Sequence, residues 1–339
     1  MKITVEPFHH EFECEDGETL LKAALRQGLF IRYGCKHGGC GTCKSRLLDG
    51  DIDEPPSTFC LSPAEREDDW FLPCVSTPTD DCTIDIGSMG ISQEEFLAGD
   101  QSREYETRIE INEPLTKDIR RLRLRIVDED EMKFTAGQFA NIQVPGTQHW
   151  RPYSMANSPE EKNFLEFIVK IFPEGRFSKL LEDRLNTGDR LQVHGPYGEL
   201  RIRLSHRNII MVAGGSGLAP LLSMLNRLAE KGNERPVQFF FGARTNDDLY
   251  YIKEIEAVVQ TMPVLEFIPV LSDSWPGDWR GETGLVTEAL ARHRESYRNC
   301  DAYLCGPPPM IDAATSLLLE RGVRPRNVYF DAFYPATSD

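Results

Sequence analysis

Residues 33–44 read Tyr33-Gly34-Cys35-Lys36-His37-Gly38-Gly39-Cys40-Gly41-Thr42-Cys43-Lys44, and thirty residues separate Cys43 from Cys74. The pattern C-x4-C-x2-C with one distant cysteine is the spacing with which four thiolates hold a [2Fe–2S] cluster. Four glycines between positions 34 and 41 let the backbone turn tightly. Amide N–H groups can then wrap around the sulfurs, and those hydrogen bonds help set the potential. Zinc is the competing metal. Zinc sites pair two short Cys/His hooks, whereas here one short hook follows a four-residue gap and precedes a lone cysteine. Nine cysteines in 339 residues do not make a small secreted disulfide scaffold. The expected metal ligands are therefore Cys35, Cys40, Cys43 and Cys74. Such a cluster moves one electron at a time, so the rest of the chain must explain where the electron comes from and where it goes. Of the other cysteines, Cys82 sits in an alternating strand pattern and reads as a small core residue. Cys14, Cys60 and Cys300 have no partner at a telling spacing.

A chain of 339 residues is too long for one ordinary core and implies two or three domains. No apolar run reaches the length of a membrane span, and Met1-Lys2-Ile3-Thr4-Val5 leads into a strand without a signal-peptide pattern. Thiols and a cluster motif without an export signal point to the cytoplasm. The net charge of −16 is uneven: the first 100 residues hold 20 of the 54 acidic side chains but only 8 of the 38 basic ones. A solvated face is the plain explanation. The asymmetry falls on the segment that must dock, which favours electrostatic steering toward a basic patch on an electron acceptor. So acidic a chain is not expected to bind nucleic acid.

Outward from the cysteines, residues 1–90 read as a small α+β unit. A hairpin is expected over 2–7 and 11–13, a helix over 19–27 ended by Gly28, and strands over 45–48 and 83–86. Gly, Ser and acidic residues across 87–102 read as a connection, with the linker proper at 91–102. Residues 103–205 carry β-like runs at 105–113, 119–127, 139–144, 164–171 and 190–194, one short helix near 177–185, and turn signals between them, as in a barrel. Residues 206–339 alternate strands (208–212, 237–241, 265–271, 302–304, 328–330) with helices (220–231, 252–260, 286–294, 310–321). That alternation is the rhythm of a doubly wound parallel sheet.

Three further motifs carry chemistry. In Arg151-Pro152-Tyr153-Ser154, an Arg offers a bidentate anchor for phosphate oxygens, a Tyr a flat face for an aromatic ring, and a Ser hydroxyl a donor and acceptor for a ring nitrogen. Gly175-Arg176-Phe177-Ser178 opens a helix, where a glycine turn into a helix N-terminus makes an anion site; a simple Ser cap is the alternative. Ala213-Gly214-Gly215-Ser216-Gly217-Leu218-Ala219-Pro220 joins an apolar strand to a helix. Its G-x-G-x-x-P core is close to the dinucleotide fingerprint, and Pro220 is tolerated in the first helical turn. Finally, Cys305-Gly306-Pro307-Pro308-Pro309-Met310 ends a strand at the sheet edge where ligands bind in such folds; a stiff turn with a buried Cys is the plain reading.

With these four motifs in order, the chain resembles the ferredoxin–NADP reductase superfamily, and more narrowly the three-module reductases with an N-terminal plant-type ferredoxin. The resemblance implies a multidomain fold. An α+β β-grasp ferredoxin (1–90) and a linker (91–102) would precede an antiparallel β-barrel FAD domain (103–205) and an α/β doubly wound parallel-sheet NAD domain (206–339). It implies that Arg151 anchors the FAD pyrophosphate, Tyr153 flanks the isoalloxazine and Ser154 lies near flavin N5. Gly175, Arg176 and Ser178 would meet the FAD phosphates. Gly214, Gly215, Gly217 and Pro220 would receive the nicotinamide dinucleotide, with Cys305 and Gly306 beside the nicotinamide. The tail Tyr329-Phe330-Asp331-Ala332-Phe333 is similar to the family's C-terminal Tyr-Glu-Lys-Phe. Asp331-Ala332 departs from its acidic–basic pair, while Phe333 keeps the aromatic cover for the flavin. Ser154, Cys305 and Phe333 are thus the residues implied to serve catalysis.

The cluster loop, residues 305–310 and the tail look most like those of reductases serving soluble di-iron monooxygenases of the phenol hydroxylase and propane or alkene monooxygenase types. Reductases of Rieske ring-hydroxylating dioxygenases share the architecture and stand as the alternative. The implied path runs from NADH to FAD, to the cluster, and to the hydroxylase component of an external oxygenase docked through the acidic ferredoxin module. FAD would reconcile a two-electron donor with a one-electron acceptor. Acidic residues in Gly242-Ala243-Arg244-Thr245-Asn246-Asp247-Asp248 suit a free ribose, and Arg244 would favour a 2′-phosphate; together with the resemblance they indicate NADH. A redox-sensing flavin/iron–sulfur module is the competing class, and a zinc-stabilised flavin oxidoreductase the competing metal reading.

Overall fold

The computed structural model describes residues 1–34, 36, 38, 41–55, 60–99, 102–127, 131–273 and 277–333. The chain forms two compact units, Met1–Arg103 and Glu104–Asp339.

The first unit is built on a mixed five-stranded sheet in the order His10–Glu13, Lys2–Glu6, Cys82–Asp85, Ser45–Asp49, Trp70–Phe71. The first strand runs antiparallel to its hairpin partner and parallel to Cys82–Asp85, with Ile3 opposite Cys82 and Val5 opposite Ile84. The alternation in Lys2–Glu6 puts Ile3 and Val5 on the inner face, both fully buried. The helix Leu20–Arg26 covers that face with Leu20, Leu21, Ala23 and Ala24, and Thr19 caps it by accepting from the Lys22 N–H at 3.4 Å. This is the expected β-grasp.

The stretch read as a linker carries secondary structure in its described part. Residues 87–89 form a 3-10 turn and Gln93–Leu97 an α-helix. Ser92 and Glu95 make a reciprocal capping box: Ser92 Oγ accepts from the Glu95 N–H at 3.1 Å, and the Ser92 N–H donates to the Glu95 carboxylate at 2.8 Å. Phe96 is fully buried against Phe8 and His10, with ring centroids 5.2 and 5.5 Å away, and its carbonyl accepts from the Phe30 N–H at 2.7 Å. One aromatic residue in a polar stretch thus docks the segment onto the first unit.

The second unit contains two lobes. In the first, six strands run in the order Trp150–Ser154, Phe139–Gln143, Arg190–Tyr197, Arg103–Pro114, Ile119–Ile126, Phe164–Lys170. A bridge between Met155 and Phe167 brings the two ends of this antiparallel sheet together into a near-closed barrel. Ile119–Ile126 shows why: Ile119, Leu122, Leu124 and Ile126 are buried, while the arginines between them face outward. Leu122 and Leu124 meet Ile142, Leu165, Phe167, Val169 and Val193 inside the barrel.

The second lobe is a six-stranded parallel sheet in the order Glu282–Thr283, Leu265–Leu271, Val237–Ala243, Asn208–Gly214, Cys300–Gly306, Val328–Ala332. Leu218–Glu230 and Ile252–Thr261 pack on one face; Val286–His293 and Pro308–Glu320 pack on the other. The strand order reverses between Asn208–Gly214 and Cys300–Gly306. A doubly wound sheet opens its ligand crevice outside the carboxyl ends of such a pair, and both glycine-bearing motifs lie there.

Candidate functional site

Among the expected cluster ligands, Cys43 and Cys74 are buried in the first unit, while Cys35 and Cys40 lie outside the described residues. The described backbone of the loop is unusual: Lys36, Gly38 and Gly41 all have positive φ, at 60°, 79° and 68°. Left-handed backbone costs the two glycines nothing, and Lys36 tolerates it. The Lys36 ammonium lies 4.6 Å from the centroid of the Tyr33 ring, and the Cys60 thiol donates to the Gly38 carbonyl at 3.0 Å. Lys44 pairs with Glu65 at 2.6 Å, tying the end of the loop to the capped helix Pro63–Glu67. Cys74 borders a hollow of about 500 Å³ whose walls include Lys22, Arg26 and Lys36. Buried thiols on a tightly turned, glycine-rich backbone fit a thiolate-held cluster.

In the barrel, Trp150–Ser154 pairs antiparallel with Phe139–Gln143, placing Tyr153 opposite Ala140 and Ser154 opposite Phe139. Alternation along this strand separates Arg151 and Tyr153 from Ser154, which is buried. The Arg151 guanidinium donates to the Trp150 carbonyl at 3.1 Å. The Tyr153 ring lies 5.4 Å from that of Phe177, the second residue of the helix Arg176–Asp183, so the two flavin motifs expected from sequence meet. Burial pushes the Tyr153 phenol up, leaving it neutral.

The Gly175 turn has a different internal logic from a simple phosphate cap. Ser178 is buried, and its hydroxyl accepts from the Phe172 N–H at 3.2 Å while lying 3.4 Å from the Phe172 and Gly175 carbonyls. The hydroxyl therefore closes its own turn. A Cβ on Gly175 would collide with Ser178 Oγ and lie 3.2 Å from the Phe172 carbonyl oxygen, so a side chain there would displace the Ser178 hydroxyl from the turn. What this turn offers an anion is the backbone N–H groups at the helix start, with Arg176 exposed beside them. That arrangement fits FAD phosphates by its donors.

At the crevice of the parallel sheet, the two glycine motifs interlock through their backbones. A Cβ on Gly214 would reach 2.7 Å from Met310 Sδ and 3.3 Å from Pro307 Cδ; one on Gly217 would run into the Cys305 carbonyl group. Gly306, at φ 144°, would bring a Cβ to 2.8 Å from the Gly214 carbonyl oxygen. At Gly217 and Gly306, where the obstacles are backbone atoms, only glycine lets the two loops close to this separation. Gly215 turns left-handed at φ 53°. Pro220 is buried at the third position of Leu218–Glu230, where its missing N–H costs no helical hydrogen bond.

In front of the loops lies a groove of about 410 Å³. Gly214, Gly215, Gly242, Ser272 and Pro307 line it from the parallel sheet, and Asp118 and Lys170 from the barrel. Glycines at the ends of two neighbouring strands give a dinucleotide the close backbone approach it needs, so the groove fits one. Arg244 stands at its edge, flanked by Asp118 at 3.7 Å and Asp248 at 3.8 Å, while Asp118 also pairs with Lys170 at 3.0 Å. Burial works to raise the Asp248 carboxyl, but bonds from the Thr245 hydroxyl and N–H, with Lys117 and Arg244 nearby, hold it below the usual range. The positive charge of Arg244 is thus balanced by two carboxylates.

Cys305 is completely buried. Burial first, and the Asp331 carboxylate second, push its thiol well up, so it is a neutral thiol at any working pH. Asp331 stands opposite Cys305 in the strand pairing, and the tail continues it: the Phe333 N–H donates to the Gly306 carbonyl at 2.9 Å. The Asp331-Ala332 departure therefore forms the last residues of an edge strand beside the Cys305–Gly306 turn.

Sequence reasoning missed the contacts that join the two lobes. Tyr251 donates to the buried Glu166 carboxylate at 2.7 Å, and Glu166 also accepts from Arg121 at 2.8 Å and from Arg123 at 3.2 Å. Ser223 donates to the Asn157 carbonyl at 2.6 Å. These residues belong to no motif; the only sequence signal was an unusual Tyr250-Tyr251 pair ahead of a helix.

Comparison with known proteins matches the whole layout. Residues 3–79 match the 2Fe-2S iron–sulfur cluster binding domain, residues 106–202 the oxidoreductase FAD-binding domain, and residues 211–316 the oxidoreductase NAD-binding domain. The chain is 38% identical to the reductase component of propane 2-monooxygenase from Mycolicibacterium goodii, covering 98% of this chain and 97% of that one. It is 33% identical to the phenol 2-monooxygenase reductase component of Pseudomonas sp. (strain CF600), covering 98% and 94%. Among solved structures, a cytochrome P450 reductase from Amycolatopsis superposes with a TM-score of 0.82 at 30% identity, covering 99% of this chain and all of that one. The three domain matches follow one another along this chain, and the chain belongs to the family of three-module iron–sulfur flavoprotein reductases that includes the reductase components of multicomponent monooxygenases.

Proposed function

We propose that this protein is the NADH-dependent reductase of a multicomponent monooxygenase, drawing electrons from NADH and delivering them through FAD and a [2Fe–2S] cluster to a di-iron hydroxylase component. The observation that carries the reading is the presence, on one chain, of a cysteine loop, a flavin barrel and a glycine-lined dinucleotide groove at the strand-order reversal. Whole-chain identity to propane and phenol monooxygenase reductase components supports the choice of partner. In this reading residues 1–90 serve the cluster, 103–205 the flavin and 206–339 the nucleotide, with 91–102 between the first two, and the protein works in the cytoplasm. Among the described residues no helix is long and apolar enough to cross a membrane.

FAD, when bound, supplies the chemistry that neither partner has, taking two electrons together and returning them singly. The chain's own residues bind and orient. Cys35, Cys40, Cys43 and Cys74 hold the cluster. Arg151 and the N–H groups following Gly175 bind phosphates; Arg176 adds charge; Ser178 shapes the turn and offers its hydroxyl beside them. Tyr153 offers its ring to the isoalloxazine, and Ser154 a hydroxyl near its reactive edge. Gly214, Gly215 and Gly217 let the dinucleotide approach, Pro220 starts the helix behind them, and Cys305 and Gly306 form the wall beside the nicotinamide. Phe333, held by its bond to Gly306, covers the flavin and excludes water. The acidic first unit steers the partner into contact.

Reconstitution tests the partner. The purified protein with NADH should support substrate oxidation by the hydroxylase component of a propane- or phenol-type monooxygenase. Turnover only with a Rieske oxygenase would overturn the assignment. The Amycolatopsis likeness favours one second reading, a cytochrome P450 as the acceptor; turnover with that haem protein alone would establish it.

A further inference from the structure

We propose that Tyr250 is a positioning residue for the dinucleotide: its hydroxyl fixes the orientation of the peptide between Gly215 and Ser216. The inference rests on the dinucleotide reading of the groove.

Tyr250 is buried, and its hydroxyl donates to the Gly215 carbonyl at 2.7 Å. That carbonyl also accepts from the Leu218 N–H. Gly215 is the one left-handed residue of the loop, open on all sides to an added Cβ, so its own packing does little to fix it. In a trans peptide the C=O and the following N–H point in opposite directions. Holding the Gly215 carbonyl toward Tyr250 therefore holds the Ser216 N–H the other way, as a donor that cannot rotate freely. Gly215 itself lines the groove. A fixed donor at a glycine loop opening a helix is what an anionic pyrophosphate needs.

Tyr251 explains how Tyr250 gets there. It is a bulky residue in the left-handed region, φ 58° and ψ 20°, immediately before the helix Ile252–Thr261. Such a conformation persists in a large side chain only where the surroundings over-determine it. Consecutive side chains on an extended backbone point to opposite sides. Here the left-handed turn brings the two rings together, with centroids 5.8 Å apart. One hydroxyl then reaches the nucleotide loop, and the other reaches Glu166, which Arg121 and Arg123 hold on the barrel wall. Phe241 packs edge-on against the Tyr250 ring at 5.6 Å and fixes its direction.

The test is calorimetric titration of the FAD- and iron-replete protein with NAD+, for the wild type, Tyr250→Phe and Tyr251→Phe. Tyr250→Phe keeps the ring and its packing and loses only the hydroxyl. Its NAD+ affinity should fall about five- to tenfold, the factor one net hydrogen bond carries. KM for NADH should rise by the same factor with kcat within about twofold, as for lost binding that is uniform through the reaction. Tyr251→Phe, which loses a like hydroxyl that never touches the loop, should keep NAD+ affinity within about twofold. Unchanged affinity in Tyr250→Phe, or equal weakening in both variants, would overturn the inference. A wild-type protein that binds no NAD+ would overturn the groove reading, and this inference with it.

Discussion

Replacing Gly217 by alanine probes the interlocked loops most sharply. Gly217 has φ −62°, a backbone that alanine adopts without penalty, so any cost must come from space. The new methyl would collide with the Cys305 carbonyl group and lie 2.6 Å from the Gly306 nitrogen. Both are backbone atoms, fixed by the pairing of Asn208–Gly214 with Cys300–Gly306, and no side-chain rotation relieves the clash. Overpacking costs about 1–3 kcal/mol, and a backbone obstacle puts Gly217→Ala at the upper end, about 3 kcal/mol. Gly215→Ala is the matched control. Its φ of 53° is left-handed, but nothing lies within 4 Å of an added Cβ. Its cost is conformational, about 1 kcal/mol. Unfolding of the FAD-bound protein, followed by flavin release, gives the stabilities; NAD+ titration of the same samples gives the affinities. Gly217→Ala should lose about three times the stability that Gly215→Ala loses. It should bind NAD+ about tenfold or more weakly, since small displacements of a binding loop are expensive. Wild-type behaviour of Gly217→Ala, or a larger loss in Gly215→Ala, would refute the packing argument.

Three other outcomes follow from the site. Cys74→Ser should abolish bound iron and acid-labile sulfide while leaving FAD content and NAD+ affinity intact, because the ligand lies in a unit separate from the barrel and crevice; retained iron would count against Cys74. Asp248→Asn removes one of the two carboxylates that balance Arg244 and should raise the NADPH-to-NADH ratio of kcat/KM by about tenfold; an unchanged ratio would place discrimination elsewhere. The Glu18 carboxyl is held below its ordinary value by its bond from Arg26 at 2.8 Å, against the opposite push of burial. A depressed folded value means that this contribution is full above the unfolded carboxylate pKa, about 4.3, and is lost as pH falls through the lower folded value. Acid unfolding of the first unit should therefore become less steep below about pH 4.3 in Glu18→Gln, and an identical acid limb would exclude the linkage.

Much of this architecture was legible in the residues, for reasons that can be stated. The cluster motif is a spacing rule, and spacing survives in one dimension. The alternation of Ile119–Ile126 and the strand–glycine–helix run at 208–230 each encode their own burial, so the barrel and the parallel sheet could be read locally. What failed to show was set by single distant contacts. The helix Gln93–Leu97 hides in a polar stretch because one residue, Phe96, docks it, although the Ser92–Glu95 cap was visible. The bond that Ser178 accepts from the Phe172 N–H could not be read from the sequence, because it is made across the turn rather than along the helix start. Tyr250 and Tyr251 act through Gly215 and Glu166, 35 and 85 residues away, and no local pattern carries such a pairing.

The central claim is that one chain carries electrons from NADH through FAD to the cluster. Anaerobic optical titration of the purified, iron-replete protein with NADH tests it directly. The account predicts loss of both flavin and iron–sulfur absorbance, with NADPH far less effective at the same concentration. No loss of either absorbance with either nucleotide would contradict it and leave a flavin and cluster protein that binds or senses rather than a reductase.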